Sequence, residues 1–377
     1  AETGKTRMVG GAVRDGLLGL PVSDIDFATE FTPDEVMRRL EMVGLKAIPT
    51  GLAHGTVTAI SGDFKVEVTT LRHDVETDGR HAEVAFTDDW RADAARRDFT
   101  INALNATLPG GVVGDYFGGL DDLAAGRVRF IGDALERIAE DHLRILRFFR
   151  FQARFGRGAA DPDALAACKA RARDLMALSR ERISGELLKL LALPAPADTM
   201  QLMIANGIWR PVIPAFTDDS VADLRRTVAR EAACGIAGDA IRRLGAMLPA
   251  DPEIADGVAA RLRLSRVQKR RLAVIAGRNS LSANLRGVAF RHSSDAAVDL
   301  ALITTDMPPV DVVALRDWTV PTLPIGGGDL IAMGVERGPK VSMVLQALEQ
   351  AWIKAGFPGD AERVDQLAAA AIAKYGR

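Results

Sequence analysis

The chain has 377 residues, 48% of them hydrophobic, 26% charged and 5% aromatic, with a formal net charge of −2. That length exceeds one ordinary core and suggests two to four domains or sub-domains, while the apolar content excludes a disordered chain. A near-neutral balance excludes a uniformly basic surface, so any function that meets nucleic-acid phosphates needs cations gathered locally. Cys168 and Cys234 lie far apart with no CxxC spacing; neither a disulfide framework nor a zinc site is indicated, and a reducing cytoplasm fits. No apolar run approaches the roughly 20 residues that cross a bilayer, and the N-terminus lacks an apolar signal core, which points to a soluble chain with no membrane partner. A start at Ala1 in place of Met is what a trimmed N-terminus looks like.

In chain order, residues 7 to 120 alternate short strands and helices. Thr6–Val9 reads as a strand that passes through Gly10-Gly11 into an apolar helix. Ser23-Asp24-Ile25-Asp26-Phe27 reads as a second strand, and Thr32 to Val43 as a helix with Thr32 as N-cap and Pro33 in the first turn. GTVTAI and FKVEVTT alternate as further strands, giving a mixed sheet with flanking helices.

Two features of this stretch carry chemistry. The glycines of Val9-Gly10-Gly11-Ala12-Val13-Arg14-Asp15 let a backbone approach a phosphate, the helix N-terminus attracts negative charge, and Arg14 can neutralise a triphosphate. A tight strand-to-helix turn with Arg14 and Asp15 as surface charges fits the same string. In a strand, Asp24 and Asp26 share one face with Ile25 turned to the core, and paired carboxylates of this kind hold Mg²⁺ together with substrate phosphates. Taken alone, the pair also suits an ordinary exposed strand end.

Together the glycine turn and the aspartate pair resemble the first motif of the polymerase-beta-type nucleotidyltransferases, in the branch that holds class II tRNA nucleotidyltransferases and bacterial poly(A) polymerases. The resemblance implies that Gly10, Gly11 and Arg14 contact a nucleotide and that Asp24 and Asp26 bind catalytic Mg²⁺. The superfamily usually adds a third carboxylate from a neighbouring strand; Glu67, between Val66 and Val68, is the candidate, and a half-exposed strand acid is the alternative. The stretch Arg72 to Trp90, with Asp78-Gly79-Arg80-His81, occupies the place of the family's flexible loop, which helps switch the site from CTP to ATP.

Arg96-Arg97-Asp98-Phe99-Thr100-Ile101-Asn102 puts Asp98 and Asn102 on one face if helical. The string resembles the family's second motif, which implies that Arg97 contacts the nucleotide, with Asp98 and Asn102 holding it or the ribose. From about residue 121 helical periodicity takes over. Within it, Asp141, Arg144, Arg147 and Arg150 form a slowly winding stripe, with Ile138, Ile145 and Phe149 opposite. An Asp and an Arg one turn apart offer an acceptor and donors to a base edge, though an i,i+3 salt bridge uses the same pair. In the resembled family this helix is the protein template, so Asp141 and Arg144 are expected to read the incoming base, with Arg147 and Arg150 supporting the nucleotide. Glu181-Arg182-Ile183-Ser184-Gly185-Glu186-Leu187 resembles a fifth motif that braces the neck helices.

Beyond residue 187 only helicity matches. Arg261, Arg263, Arg266, Lys269, Arg270, Arg271, Arg278, Arg286 and Arg291 form a basic stripe without interleaved acids, and Lys269, Arg270 and Arg271 are its candidate RNA contacts; a solvated helix face is the alternative. The Gly326–Gly328 run is expected to join helices. None of the five histidines has a partner that marks a nucleophile or metal site.

The resulting expectation is an α+β polymerase-beta-type head over residues 1–122, a helical neck with the base-reading helix over 123–192, and an all-α body and tail that bind tRNA over 193–377. The implied reaction adds CCA to the tRNA 3′ end from CTP and ATP by two-metal transfer, releasing pyrophosphate. A bacterial poly(A) polymerase and a partial CC-adding or A-adding enzyme are the competing readings. The Asp141–Arg144 pair, the 72–90 loop and the lack of a long basic C-terminal extension weigh against the first. A silent RNA-binding module predicts loss of Asp24, Asp26 or Arg97, and all three are present.

Overall fold

The computed structural model describes residues 4–22, 24–77, 82–281 and 283–376. They form two compact units, residues 1–222 with 258–264, and residues 223–257 with 265–377. The divisions expected at 122 and 192 both fall inside the first unit.

The first unit opens with a seven-stranded mixed sheet in the order β3-β4-β5-β2-β1-β8-β9. Its strands are β1 (Thr6–Val9), β2 (Asp26–Thr29), β3 (Lys46–Gly51), β4 (Thr56–Ser61), β5 (Phe64–Thr70), β8 (Asn105–Thr107) and β9 (Val113–Gly114). The pairing of β2 with β5 is parallel and the other pairings are antiparallel. On β4, Val57 and Ala59 are buried while Thr56, Thr58 and Ile60 are less so, the alternation of a strand with one covered face. Helices α1 (Gly11–Leu17) and α2 (Pro33–Met42) follow β1 and β2, and α2 packs on β3, β4 and β5 through its buried Val36. The stretch expected as a flexible loop contains an antiparallel ribbon, β6 (Arg72–Thr77) with β7 (Ala82–Phe86). Asp78, Gly79, Arg80 and His81 lie outside the described residues.

Helices then dominate: α3 (Trp90–Ala95), α4 (Gly119–Ala125), α5 (Ala134–Glu140), α6 (Leu143–Phe155), α7 (Pro162–Ala170), α8 (Arg180–Leu191) and α9 (Ala197–Ala205). Helix α6 carries the central core. Ile145, Phe148 and Phe149 are fully buried, and Phe99 packs against Phe130 and Phe151 with ring centroids 4.9 and 5.2 Å apart. Such tilted aromatic pairs contribute beyond their buried area, typically about 0.5–1.5 kcal/mol each.

Three local expectations are corrected. The Arg96–Asn102 string is not an α-helix: α3 stops at Ala95, and a short 3₁₀ turn covers Thr100–Asn102. Asp98 accepts from its neighbour's amide, Phe99 N, at 2.9 Å, and Phe99 is extended, which breaks helical progression. Asp141 is not on the helix of Arg144. It is extended (φ −152°, ψ 105°) between α5 and α6, where its carboxylate accepts from Leu143 N at 3.1 Å and its carbonyl from Arg144 N at 3.0 Å. An Asp that satisfies the orphan donors of a new helix ends the old one. Finally, Gly327 and Gly328 open the helix Gly327–Ala332 and do not act as a linker.

The second unit, among the described residues, is helical. Helices Leu285–Arg291, Ser294–Thr304 and Pro309–Arg316 pack around Leu300, Leu302 and Val312, and helices Pro339–Lys354 and Ala361–Tyr375 around Val344, Leu348 and Ala368. A buried charge network ties the helix Ser294–Thr304 to the helices that carry Glu231, Arg242 and Arg271. Asp299, fully buried, accepts from Arg242 Nε at 2.8 Å and Arg271 Nε at 2.5 Å, and Glu231 accepts from Arg242 and Arg243 at 2.7 and 2.8 Å. No described helix is long and apolar enough to cross a membrane.

Candidate active site

The site begins at the end of β1, where the chain must turn at once into α1. Gly10 sits at φ 67°, a left-handed conformation that strongly favours glycine, and a Cβ there would lie 3.0 Å from Arg97 Nη1. Its amide donates to Leu104 O at 3.0 Å, fixing the turn to the segment that carries Arg97 and Asn102. Strand β2 starts at Asp26, so Asp24 lies just before it, and Ile25 is half-buried rather than in the core. Ser23 lies outside the described residues. Both aspartates remain exposed and on the rim of one cavity of about 570 Å³.

This cavity brings together Gly10, Gly11, Arg14, Asp24, Asp26, Arg97, Asp98, Asn102, Asp141, Arg144 and Arg147. Glu67, Arg150, Lys269, Arg270 and Arg271 are not in it. A second hollow of about 640 Å³ shares Asp24 and Asp26, and is lined further by Ile48, Thr50, Thr58, Ile60, Lys65 and Glu67. The paired carboxylates thus stand where an arginine-rich hollow meets a hollow with a largely uncharged wall.

Electrostatics separate the two acid sites. Partial desolvation by the surrounding protein pushes the Asp26 carboxyl above its usual range; Arg97 opposes this, and the like charge of Asp24 adds to it. Like charges held together favour a cation between them. Glu67 is the register partner of Asp26 across the β2–β5 pairing, yet among the described residues no group of three or more acids, histidines or cysteines gathers closely enough to hold a metal. Two carboxylates with room for phosphate oxygens is the donor set that suits Mg²⁺. Glu67 is exposed on its strand and shares the second hollow with Asp24 and Asp26.

Asp98 is different. Its side chain is 8% exposed and saturated: Phe99 N and Asn102 Nδ2 donate to Oδ1 at 2.9 Å each, and Arg147 donates to Oδ2 from Nε at 2.6 Å. Burial opposes the charge, but Arg147 and Asn102 outweigh it, holding the carboxyl below the usual range. Asp98 thus holds Arg147, not Arg97. Arg97 is held by Asp93, which accepts from Arg97 Nη2 at 3.2 Å, from Arg96 Nε at 3.0 Å and from Arg72 N, at the start of the β6–β7 ribbon, at 3.4 Å.

Two expected nucleotide contacts, Arg14 and Arg150, are held by partners within the protein. Arg14 is 5% exposed, donates to Asp15 at 2.8 Å and to Asn102 Oδ1 at 2.5 Å, and lies 4.2 Å from the Phe155 ring centroid. Burial, countered by Asp15, pushes its guanidinium below the ordinary value. Arg150 donates to Glu186 on α8 at 2.6 Å, so this member of the stripe braces two helices. Asp141 and Arg144 do not pair with each other. Arg182 donates to Asp141 Oδ2 at 2.7 Å, whereas Arg144 donates to Glu140 at 2.6 Å and to the carbonyls of Arg137 and Arg96 at 3.0 Å each.

Asp15, Arg154 and Arg182 line the cavity although sequence reasoning gave them no such place. Arg154 has a visible signal, since it continues the arginines of α6 one turn past Arg150. Asp93 stands three and four residues before Arg96 and Arg97, a spacing visible in the sequence, whereas Arg182 has no such signal because its partner comes from another element.

The basic stripe is largely consumed by the fold. Arg271 bonds Asp299 and Asp239, Arg278 is buried and donates to the Leu248 carbonyl at 2.6 Å, Arg291 pairs with Glu349, and Lys269 pairs with Asp256 at 2.8 Å. Acids absent from the local sequence return through tertiary contacts. Arg266 and Arg270 remain exposed on the helix Arg266–Ala276, while Arg271 is corrected to a structural residue.

Comparison with known proteins adds to this geometry. The model of the poly A polymerase head domain matches residues 6–129, and that of a probable RNA-binding site of polymerase A matches residues 160–219. CCA tRNA nucleotidyltransferase 1, mitochondrial, of Danio rerio is 35% identical over 367 residues, covering 93% of this chain and 84% of the relative. The CCA-adding enzyme of Streptococcus sanguinis is 32% identical, covering 94% and 91%. The crystal structure of the Bacillus stearothermophilus CCA-adding enzyme in complex with CTP superposes with a TM-score of 0.78 at 26% identity, covering 98% of this chain and 94% of that one.

Proposed function

The chain belongs to the class II CCA-adding tRNA nucleotidyltransferases, and from that premise we propose how its own residues carry the addition of C, C and A to a tRNA 3′ end. The observation that carries the reading is the exposed Asp24–Asp26 pair on the rim of a cavity supplied with Arg97, Arg144, Arg147, Arg154 and Arg182. In this reading Arg97, Arg147 and Arg154 receive the triphosphate of CTP or ATP, and Asp141 and Arg144 meet the base. Divalent metal use goes with the nucleotidyltransferase head, and Mg²⁺ is the ion proposed here; held by Asp24 and Asp26, it would activate the 3′-hydroxyl and stabilise the charge of the transferring phosphoryl group. In-line displacement puts the attacking hydroxyl opposite the leaving pyrophosphate, and the second hollow, sharing both aspartates, offers that side.

Residues 1–122 are read as the catalytic head, 123–192 as the neck and 193–377 as a tRNA-binding body and tail. The two cysteines are buried free thiols, which supports a reducing compartment such as the cytoplasm.

Labelled CTP and ATP supplied with Mg²⁺ to transcripts ending before CCA, after C and after CC test the reading. Ordered addition that stops after A is expected; a lengthening A tail supports poly(A) polymerase, and activity on one transcript alone a partial enzyme.

For the RNA face, K269A/R270A should lower tRNA affinity and reduce its log–log salt slope by about 1 to 2, since each phosphate no longer neutralised removes roughly 0.7–0.9. Arg271→Ala should instead lower Tm, because it leaves the fully buried Asp299 with only part of its charge partners. An unchanged salt slope in the double variant removes this helix from the RNA interface.

A further inference from the structure

We propose that Arg182 is a positioning residue that sets base selectivity by holding Asp141 as a fixed acceptor; this rests on Asp141 and Arg144 reading the base. Arg182 stands in the first turn of α8, and its side chain, 34% exposed, reaches across to an Asp141 side chain that is 29% exposed. Both line the cavity that holds Asp24 and Asp26.

A carboxylate offers about four lone-pair positions over two oxygens. On Asp141, Leu143 N occupies one position of Oδ1 at 3.1 Å, and Arg182 Nη2 occupies one of Oδ2 at 2.7 Å. With one bond on each oxygen, rotation about the last side-chain torsion is blocked, and an incoming donor meets a remaining lone pair of fixed direction. Arg144 is fixed in the same manner from behind, by Glu140 and two backbone carbonyls, with 12% of its side chain exposed.

Cytosine and adenine both present an exocyclic amine donor beside a ring-nitrogen acceptor, whereas uracil and guanine present a carbonyl beside an N–H donor. A fixed Asp acceptor beside a fixed Arg donor matches the first pattern, and sets acceptor against acceptor and donor against donor in the second. Without Arg182 the carboxylate is tethered at one oxygen only and can turn aside, so the penalty against uracil falls together with the benefit to cytosine. Arg182 acts through Asp141 and need not touch the base.

The test measures kcat/KM for CTP and UTP on a tRNA transcript ending before CCA, with wild type, R182A, R182K, D141A and D141A/R182A. R182A is expected to lower the CTP/UTP ratio by about tenfold or more, in line with the loss of one oriented hydrogen bond. R182K is expected to restore most of the ratio, and R182A to add nothing to D141A. If D141A lowers the ratio but R182A lowers CTP and UTP equally, or lowers the ratio additively with D141A, Arg182 serves phosphate binding or folding and the proposal is overturned. If D141A itself leaves the ratio unchanged, the base-reading assignment fails and this proposal with it. Should R182A not fold, R182Q compared with R182K supplies the same contrast.

Discussion

Asp26→Asn is expected to lower single-turnover CTP incorporation by about a thousandfold, equivalent to roughly 4 kcal/mol of barrier, while CTP binding and Tm stay close to wild type. Asp26 is exposed, so its shape and packing survive the change to Asn, and what disappears is one of two negative charges at the junction of the two hollows. In the proposed reading nucleotide affinity rests on the arginines of the arginine-rich hollow and is therefore separable from the chemical step. Asp24→Asn is expected to behave alike, whereas Glu67→Gln, exposed and outside the arginine-rich cavity, is expected to cost much less. Incorporation by the Asp26 variant at near wild-type rate would remove the carboxylate pair from the chemistry.

Asp98→Ala is expected to destabilise the first unit by about 2–4 kcal/mol and to abolish activity in the fraction that folds. The substitution strands Arg147, whose guanidinium makes two short hydrogen bonds to Oδ2, and leaves Phe99 N and Asn102 Nδ2 without their acceptor. Urea denaturation reads the stability and CTP incorporation the activity; a stability within error of wild type would show that the network contributes little. The same carboxyl has a pH signature. Because its folded value lies below its ordinary one, it stabilises the fold fully above the unfolded carboxylate range and loses that contribution as pH falls through the lower folded value. In Asp98→Asn the acid limb of the stability–pH curve, below about pH 4, should flatten.

Much of the head was legible because its chemistry-bearing residues occur in short strings. Gly10 to Asp15 is one turn of chain, so its glycines and the helix after it follow from local rules of backbone freedom. The strings GTVTAI and FKVEVTT alternate as strands do, and the strands run over Thr56–Ser61 and Phe64–Thr70. The burial of Ile145 and Phe149 was readable from their spacing on α6, since a helix must turn such a face inward; Ile138 is buried as well, but from the separate helix α5. Where an Asp or Asn bonds its own neighbouring backbone, the same rules misled: Asp98 and Asp141 interrupt patterns that look helical.

The sequence by itself determined the family, the α+β head followed by helices, and many of the residues that line the arginine-rich cavity, because local strings of glycine, acid and arginine specify both backbone path and reactive groups. Only the tertiary structure decided which charged groups are left to meet a ligand. Arg147 finds Asp98 49 positions away, Arg182 finds Asp141 41 away, and Arg271 finds Asp299 28 away. A guanidinium takes whichever carboxylate the fold brings within about 3 Å, since burying either charge alone costs far more than burying the pair. That choice tied Arg150 to Glu186 and Arg271 to Asp299, and set Arg154 and Arg182 at the cavity.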